Sequence, residues 1–213
     1  MQTERRTRLD PKERRAQLVA LGVAFLAEHP VESLSIEYLS ATAGVSRALL
    51  FHYFGSKTGM QREIVREARD SMLRATESGP GLDPQERIHA TLSLIVDFVR
   101  EHRGTFYSLV RGVASGAPEV REVIEEARAV QADRVIAAFI ELGYADTPLL
   151  RAALRSWVAF TEDLLVRIAV ETETPSSQIV TFLERSAQAV VSVVDDPASD
   201  SVQPRAPVPG VSG

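Results

Sequence analysis

The fold is decided by residues 36–54, which read IEYLSATAGVSRALLFHYF. Two short helices that cross over a turn of three or four residues need small side chains at their closest approach, and Ser40 and Ala43 meet that need. Gly44 tolerates the positive φ that the turn requires just past the first helix. Ser46 supplies a hydroxyl that can cap the second helix. The pattern predicts a helix-turn-helix, which is either a nucleic-acid reader or a structural αα-hairpin.

The residues left exposed on the second helix favour the nucleic-acid interpretation. Arg47 can donate two hydrogen bonds to a guanine edge or bind a phosphate, and the Ala48 methyl group can touch a thymine methyl. His52 and Tyr53 carry donors that suit base edges or phosphates, and Phe51 adds an aromatic ring. A helix that merely faced solvent would carry a mixture of glutamate and lysine instead.

Helix starts beside this unit offer places for anionic oxygens. Ser35 precedes the first helix of the pair, and Ser56, Lys57 and Thr58 open the next helix. Free backbone amides, hydroxyl groups and one ammonium group at helix N-termini stabilise an anion. We therefore expect Ser35 and Lys57 to contact phosphates.

Composition excludes several classes of protein. The 213 residues are 45% apolar and 25% charged, which is ordinary for a globular chain. No apolar run approaches the roughly 20 residues that span a bilayer, and residues 1–10 lack the apolar segment of a secretory signal. The chain has no cysteine, which excludes disulfides, thiolate metal sites and iron–sulfur clusters. These features predict a cytoplasmic protein with no membrane partner.

The net charge of −5 is unevenly distributed. Residues 1–78 contain 12 basic and 10 acidic side chains, a balance of +2, whereas residues 79–213 contain 12 and 19, a balance of −7. Six of the basic residues lie between Arg5 and Arg15, and residues 1–10 are predicted to form a basic, disordered arm. Such asymmetry suggests contact with a polyanion, although a solvated tip would show the same charges.

Hydrophobic spacing is helical along the whole chain and predicts an all-α fold of nine helices. The first helix begins with a capping box of Asp10 and Glu13 around Pro11 and is expected to reach about Glu28. Three further helices are expected at about 36–43, 47–54 and 57–76, before the linker Ser78-Gly79-Pro80-Gly81. The later helices are expected at about 84–102, 103–114, 118–142, 148–172 and 175–194.

The linker divides the chain into two predicted domains. A helix-turn-helix domain is expected over residues 11–78, and a helical bundle is expected over residues 79–194. Residues 195–213 contain four prolines among serine, aspartate and glycine. That composition cannot bury enough apolar surface to order a chain, so it predicts a disordered tail.

The helix expected at 148–172 carries the candidate wall of a small-molecule pocket. Trp157 and Thr161, one turn apart, combine a flat aromatic ring with a hydroxyl, as pockets for small apolar ligands do. The alternative is a buried core and dimer helix. The residues predicted to bind a ligand, which is expected to be apolar or aromatic, are Phe98, His102, Phe106, Tyr107, Arg111, Trp157, Thr161 and Leu164.

The last helix carries an apolar stripe at helical spacing, with Ser186 and Ala187 at its centre. Small residues would let a second copy approach closely, although a helix packed in its own core shows the same stripe. The stripe by itself therefore fits either a dimer interface or a core helix.

The sequence gives no support for an enzyme. The four histidines lack the spacing of a metal site, and no glycine-rich loop follows a strand. Glu162 and Asp163 are adjacent on a helix and diverge by about 100°, so they do not form a catalytic pair. No metal and no cofactor are expected.

Residues 35–60 resemble the N-terminal signature of the TetR family of transcriptional regulators. The strongest parts are Ala43-Gly44-Val45-Ser46 and His52-Tyr53-Phe54-Gly55-Ser56-Lys57. The resemblance implies a homodimer, formed through the last two helices, in which the third helix of each subunit enters the major groove of a near-palindromic operator in double-stranded DNA. One such recognition helix offers too few contacts for operator affinity, which also favours a homodimer. The resemblance further implies that the C-terminal domain, residues 79–194, binds a small molecule and releases the DNA. The residues predicted to contact DNA are Ser35, Ser46, Arg47, Ala48, Phe51, His52, Tyr53 and Lys57.

Two positions depart from the family pattern. Phe51 stands where the family often has tyrosine, which removes a phosphate-contacting hydroxyl. Thr58 and Gly59 replace an acidic pair, and a glycine in the first turn of a helix costs about 0.5–1 kcal/mol. The sequence as a whole predicts a ligand-released repressor. The alternatives are an activator or protein-responsive regulator of the same fold, or a helical interaction protein that binds no DNA.

Overall fold

The computed structural model of the chain describes residues 10–112 and 117–195. Within these ranges there is no strand, and the secondary structure comprises the predicted number of helices: α1 (Pro11–Leu26), α2 (Ile36–Ala43), α3 (Arg47–Phe54), α4 (Lys57–Ala75), α5 (Pro84–Glu101), α6 (Arg103–Gly112), α7 (Pro118–Glu141), α8 (Pro148–Leu165) and α9 (Ser176–Asp195). Apart from Asp10, the predicted arm lies outside the described residues, as does the predicted tail beyond Asp195.

The first helix begins as predicted and ends two residues early. The Asp10 carboxylate accepts from the Glu13 amide at 2.8 Å, and the Asp10 amide donates to the Glu13 carboxylate at 2.9 Å, which completes the capping box. The helix ends at Leu26 rather than Glu28 because the next amides bond back to the carbonyls of its last turn. Pro30 then leads into a 3₁₀ turn, Val31–Ser33, which the spacing did not predict.

The expected helix 148–172 is two structures rather than one. The α-helical part ends at Leu165, and Val166–Val170 form a π-helix. The hydrogen bonds of a π-helix join residues five apart in the sequence, compared with four apart in an α-helix. Here Arg103 donates from Nη1 to the Val170 carbonyl at 3.3 Å. Apolar spacing cannot distinguish the two forms, since both keep one face buried. The following helix starts at Ser176, one residue after the expected Pro175.

Two apolar cores hold the helices together. One packs α1–α4, with Leu18, Leu39 and Leu50 fully buried, and it extends past residue 78 to Leu109 of α6 and Val120 of α7. The other packs α5–α9. Because α6 and α7 contribute to both cores, a shift of either helix changes the packing of both.

The backbone at the start of α6 closely approaches the end of α1. A Cβ atom placed on Gly104 would lie 1.6 Å from the carbonyl oxygen of Ala27, the residue that ends α1. Only glycine permits this contact. The start of α6 therefore packs directly against the end of α1.

The apolar stripe of α9 packs inside the chain itself. Ile179, Leu183, Ala187 and Val191 are buried in the second core, and the Ser186 hydroxyl accepts from Trp157 Nε1 at 2.8 Å. The small residues at the centre of the stripe therefore fit α9 against α8 of the same chain, so they are not the close-approach surface for a second copy. Among the described residues, no helix combines the length and apolar character needed to cross a membrane.

Candidate DNA-binding surface and ligand cavity

The turn between α2 and α3 has the geometry that its sequence predicts. Gly44 has a φ of 63°, in the left-handed region. The Val45 amide donates to the Ser40 carbonyl at 3.1 Å, and the Ser40 hydroxyl donates back to the Val45 carbonyl at 2.6 Å. Ser46 caps α3 by accepting from the Leu49 amide at 3.2 Å. These bonds fix the crossing of the two helices.

The outer face of α3 presents the predicted side chains to solvent. Leu50 and Phe54 point into the first core, which turns Arg47, Ala48, Phe51 and His52 outward. The Phe51 ring is 46% exposed, an unusual exposure for an aromatic side chain with no partner surface. Tyr53 packs partly against the core, and its ring lies 5.6 Å from that of His52.

Arg47 is not alone on this surface. Its guanidinium forms an ion pair with Glu37 of α2, and both side chains are exposed. Sequence spacing does not predict the pairing of Arg47 with Glu37, because the pair depends on how α2 and α3 cross. The positive charge of Arg47 is thus partly neutralised by Glu37 in the absence of DNA.

The start of α4 is organised by hydrogen bonds and one close contact. Lys57 donates from Nζ to the Glu32 carbonyl at 3.1 Å, which ties α4 to the 3₁₀ turn, and Ser56 caps α4 through the Gly59 amide at 2.9 Å. A Cβ atom on Gly59 would lie 2.3 Å from the Phe54 carbonyl oxygen. The glycine that the sequence marks only as a helix-weakening residue is therefore required by the tight turn between α3 and α4.

A cavity of about 240 Å³ lies between the end of α4 and helices α5–α9. Its wall is mostly apolar, with Leu92, Phe106, Trp157 and Leu165 among the lining residues. Polar and charged side chains lie along the rest of the wall. This mixture is typical of a small-ligand site.

Three of the predicted ligand residues line this cavity: Phe106, Trp157 and Thr161. Four do not. The rings of Phe98 and His102 contact each other at an inclined angle, with centroids 4.5 Å apart. Tyr107 is 44% exposed, and Leu164 packs on the outside of the second core. Because Phe106 points inward, its neighbour Tyr107 must point away. The side chain of Arg111 lies outside the described residues.

Four charged residues of the cavity wall were not predicted: Glu77, Arg87, Arg134 and Glu162. Glu162 Oε2 lies 2.6 Å from Arg128 Nε, and burial raises the pKa of the Glu162 carboxyl above its ordinary value even though Arg128 opposes the shift. Arg87 lies 2.7 Å from Glu141. The adjacent Asp163 forms the expected surface pair with Arg167 at 2.7 Å.

The hydroxyl of Thr161 is a polar group of the wall without a hydrogen-bond partner among the described residues. Thr161 is 6% exposed, and its Oγ1 has no hydrogen-bond partner in the described part of the chain. A buried hydroxyl normally finds a partner. No group of three or more histidine, cysteine, aspartate or glutamate side chains suited to a metal occurs among the residues described.

The outer faces of α8 and α9 expose several large apolar side chains. Phe160 and Phe182 are 45% and 50% exposed, with ring centroids 6.3 Å apart. Leu149 and Val193, also on these helices, are exposed as well. Apolar patches of this kind mark interaction surfaces.

Two family models match the chain. The model described as bacterial regulatory proteins of the tetR family matches residues 18–64, and the tetracyclin repressor-like C-terminal domain matches residues 84–190. The first match contains the helix-turn-helix, and the second contains most of the cavity wall.

Curated relatives match over part of their length. Nucleoid occlusion factor SlmA of Haemophilus influenzae is 30% identical over 135 residues, which are 62% of this chain and 60% of that protein. The HTH-type transcriptional regulator BetI of Vibrio vulnificus is 33% identical over 86 residues, 38% of this chain and 43% of that protein. The chain thus spans about 60% or less of the length of these two relatives.

Solved structures share the fold over nearly the whole chain. A tetR-family transcriptional regulator from Streptomyces coelicolor has a TM-score of 0.69 at 21% identity, covering 89% of this chain and 92% of that one. A transcriptional regulator from Pseudomonas aeruginosa PAO1 has a TM-score of 0.70 at 20% identity, covering 94% and 99%. With both family models matched in order, the chain belongs to the TetR family of bacterial regulatory proteins.

Proposed function

We propose that the protein is a dimeric, cytoplasmic transcriptional repressor that binds a near-palindromic operator and is released by a small effector. The observation that carries this proposal is the exposed face of α3, where Arg47, Ala48, Phe51 and His52 project from a rigid turn. Residues 11–78 form its DNA-binding domain, and residues 79–194 form its ligand-binding and dimerisation domain.

Each side chain of the DNA-facing surface has a proposed role. Arg47, Ala48 and His52 read base edges in the major groove. Ser35, Tyr53 and Lys57 hold phosphates and set the salt dependence of binding. Lys57 can exchange its present carbonyl acceptor for a phosphate, because an ammonium group on a flexible stem reorients easily.

The dimer forms through the outer faces of α8 and α9. Burial of Phe160 and Phe182 against a second copy removes apolar surface from water, which favours association. A two-fold dimer places its two α3 helices on successive half-sites about 34–36 Å apart.

The cavity is the effector site of this repressor. An apolar or aromatic ligand there contacts Phe106 of α6 and Trp157 of α8. A shift of α6 reaches α1 through the contact between Gly104 and Ala27. Movement of α1 and its attached helix-turn-helix changes the half-site spacing, and the operator is released.

The proposal is tested by DNA binding of the full chain and of Arg47→Ala. The DNA fragment upstream of the protein's own gene is the probe, in gel-shift titrations at low salt. Loss of one bidentate base contact costs about 1–3 kcal/mol, or about 5- to 150-fold in affinity. The control variant, Arg151→Ala, removes an arginine of α8 that pairs with Asp146 far from α3, and it should bind as the wild type does.

Two results would contradict the proposal. If the wild-type chain shifts no DNA at low salt, the helix-turn-helix is structural and the protein is an interaction module. If Arg47→Ala binds as tightly as the wild type, the role of Arg47 is wrong. An activator, or a regulator of the same fold that responds to a protein, is the second candidate function, but the cavity beside Trp157 favours a small molecule.

A further inference from the structure

The cavity wall carries one cation whose charge has no carboxylate partner. Arg134 of α7 donates from Nη1 and Nη2 to a single acceptor, the Leu73 carbonyl, at 3.4 and 3.3 Å. It forms no ion pair with any carboxylate in the described ranges. Both contacts are longer than a strong charged hydrogen bond, which is about 2.7–2.9 Å.

The other buried charges of the wall are already paired. Arg128 stabilises the Glu162 carboxylate at 2.6 Å, and Glu141 lies 2.7 Å from Arg87. Glu77 at the cavity mouth is exposed to solvent, which screens its charge. Arg134 is half-buried, so the uncompensated charge within the cavity is positive.

We propose that the effector is a small apolar carboxylic acid whose carboxylate binds Arg134. The guanidinium offers a planar fork of donors that matches a carboxylate in two parallel hydrogen bonds. The apolar body of the ligand lies against Phe106 and Trp157. This inference rests on the proposed effector site and specifies its ligand class.

The part of the wall formed by α8 adds a second requirement. The Thr161 hydroxyl is buried without a partner and lines the same cavity. A ligand with a carbonyl or hydroxyl group on its apolar body gives Thr161 the hydrogen bond that the protein does not supply. A ligand with such a group binds more tightly than its apolar isostere.

Four matched probes test the ligand class by calorimetry at neutral pH: 4-isopropylbenzoate, 4-isopropylbenzyl alcohol, 4-isopropylbenzylamine (as its ammonium form) and 4-acetylbenzoate. The first three share one body and differ in charge. The benzoate should bind at least about tenfold more tightly than the alcohol and the ammonium, which is a free-energy gap of about 1.4 kcal/mol. The acetyl probe, an isostere of the isopropyl probe, should bind more tightly than 4-isopropylbenzoate.

Two variants assign the preferences to residues. Arg134→Gln should reduce the affinity for the benzoate to that for the alcohol and leave the affinity for the alcohol within about twofold, which also shows that the cavity is intact. Arg167→Gln removes the same charge from an exposed pair outside the cavity and should keep the full preference. Thr161→Val should abolish the advantage of the acetyl probe.

The ligand class is wrong if no probe binds, if the alcohol or ammonium binds as tightly as the benzoate, or if the preference survives in Arg134→Gln. The same preparations are titrated with operator DNA without any probe. A chain that binds DNA but shows none of these preferences overturns the ligand class alone. A chain that shows the preferences but binds no DNA overturns the proposed repressor and leaves the ligand site standing.

Discussion

On the proposed DNA-binding surface, Arg47 lies beside the carboxylate of Glu37. The guanidinium and the Glu37 carboxylate are 62% and 59% exposed, and an exposed ion pair contributes only about 0–1 kcal/mol. In the proposed complex, DNA therefore displaces Glu37 from Arg47 at little cost. The proposed binding mode leaves the Glu37 carboxylate close to the groove, where it repels phosphates.

Replacement of Glu37 by Gln should therefore strengthen binding to unrelated DNA. Nonspecific binding is dominated by phosphate contacts, so the loss of one acidic charge should raise that affinity several-fold at low salt. The gain should shrink as added salt screens the charges. Fluorescence-anisotropy titrations of a labelled random duplex at several salt concentrations measure this, with Glu67→Gln on α4 as a charge-matched control. Equal binding by Glu37→Gln and the wild type would contradict this role of Glu37.

A second residue-scale prediction concerns Gly59. Helix propensity alone favours alanine over glycine by about 1 kcal/mol, whereas a Cβ atom here meets the Phe54 carbonyl oxygen at 2.3 Å. We expect the clash to dominate, so that Gly59→Ala lowers the free energy of unfolding by about 1–3 kcal/mol. Urea unfolding measures the change. Gly79→Ala, where no atom lies within 4 Å, is the control, and a stabilised Gly59→Ala would show that the turn relaxes.

Interactions within one helical turn could be predicted from the sequence, whereas contacts between helices could not. Donors such as Arg47 and caps such as Ser46 follow from local spacing, because each acts within its own turn. The pairing of Glu37 with Arg47 depends on the angle between α2 and α3, and the need for Gly59 depends on the angle between α3 and α4. Neither angle can be predicted from the sequence of a single helix.

At the scale of helices, α7 and α8 are joined by a partly buried ion pair beside the cavity. Arg128 pairs with Glu162 at 2.6 Å and with Glu125 at 2.5 Å. Burial nevertheless raises the pKa of Glu162, so the folded state favours the protonated carboxyl more than the unfolded chain does. The stabilisation from this group is complete below its ordinary pKa and is lost as the pH rises through the raised value.

Glu162→Gln should therefore gain stability relative to the wild type as the pH rises from about 4 to about 7. Glutamine mimics the protonated carboxyl at every pH, and Arg128 keeps Glu125 as a partner. Urea unfolding at a series of pH values measures the difference between the two proteins. Asp163→Asn changes the exposed neighbour and should show no such gain. A difference that does not change with pH would mean that burial does not govern Glu162.

Helix boundaries show which elements the spacing predicts well. Starts marked by a cap and a proline, as in α1, lie where the sequence puts them, since the signal is local. The change to a π-helix after Leu165 was missed because the same apolar face continues through it. Contacts from Arg103 on another helix accompany the change, and periodicity within α8 contains no trace of them.

At the scale of the whole molecule, the stripe on α9 packs within its own chain, which is one of the two arrangements that its pattern allows. Its small and branched residues pack against α8 and α5 of the same chain, and a sequence cannot say which of two similar helices fills a stripe. The faces left over, with Phe160 and Phe182, are the candidates for a second copy. The acidic balance of residues 79–213 fits this arrangement, because it keeps DNA at the opposite end of the molecule.

Phe160→Asp should separate the dimer without unfolding the chain. The ring is 45% exposed, so its loss removes little from the core, whereas two buried carboxylates facing each other across a two-fold axis strongly disfavour association. Light scattering should give a mass near 23.3 kDa for the variant and twice that for the wild type. Operator affinity should fall with dimerisation, since each monomer can occupy only one half-site. Val130→Asp, at a 40% exposed position on α7, should remain dimeric, and a wild-type chain that is monomeric at micromolar concentration would overturn both the interface and the paired recognition helices.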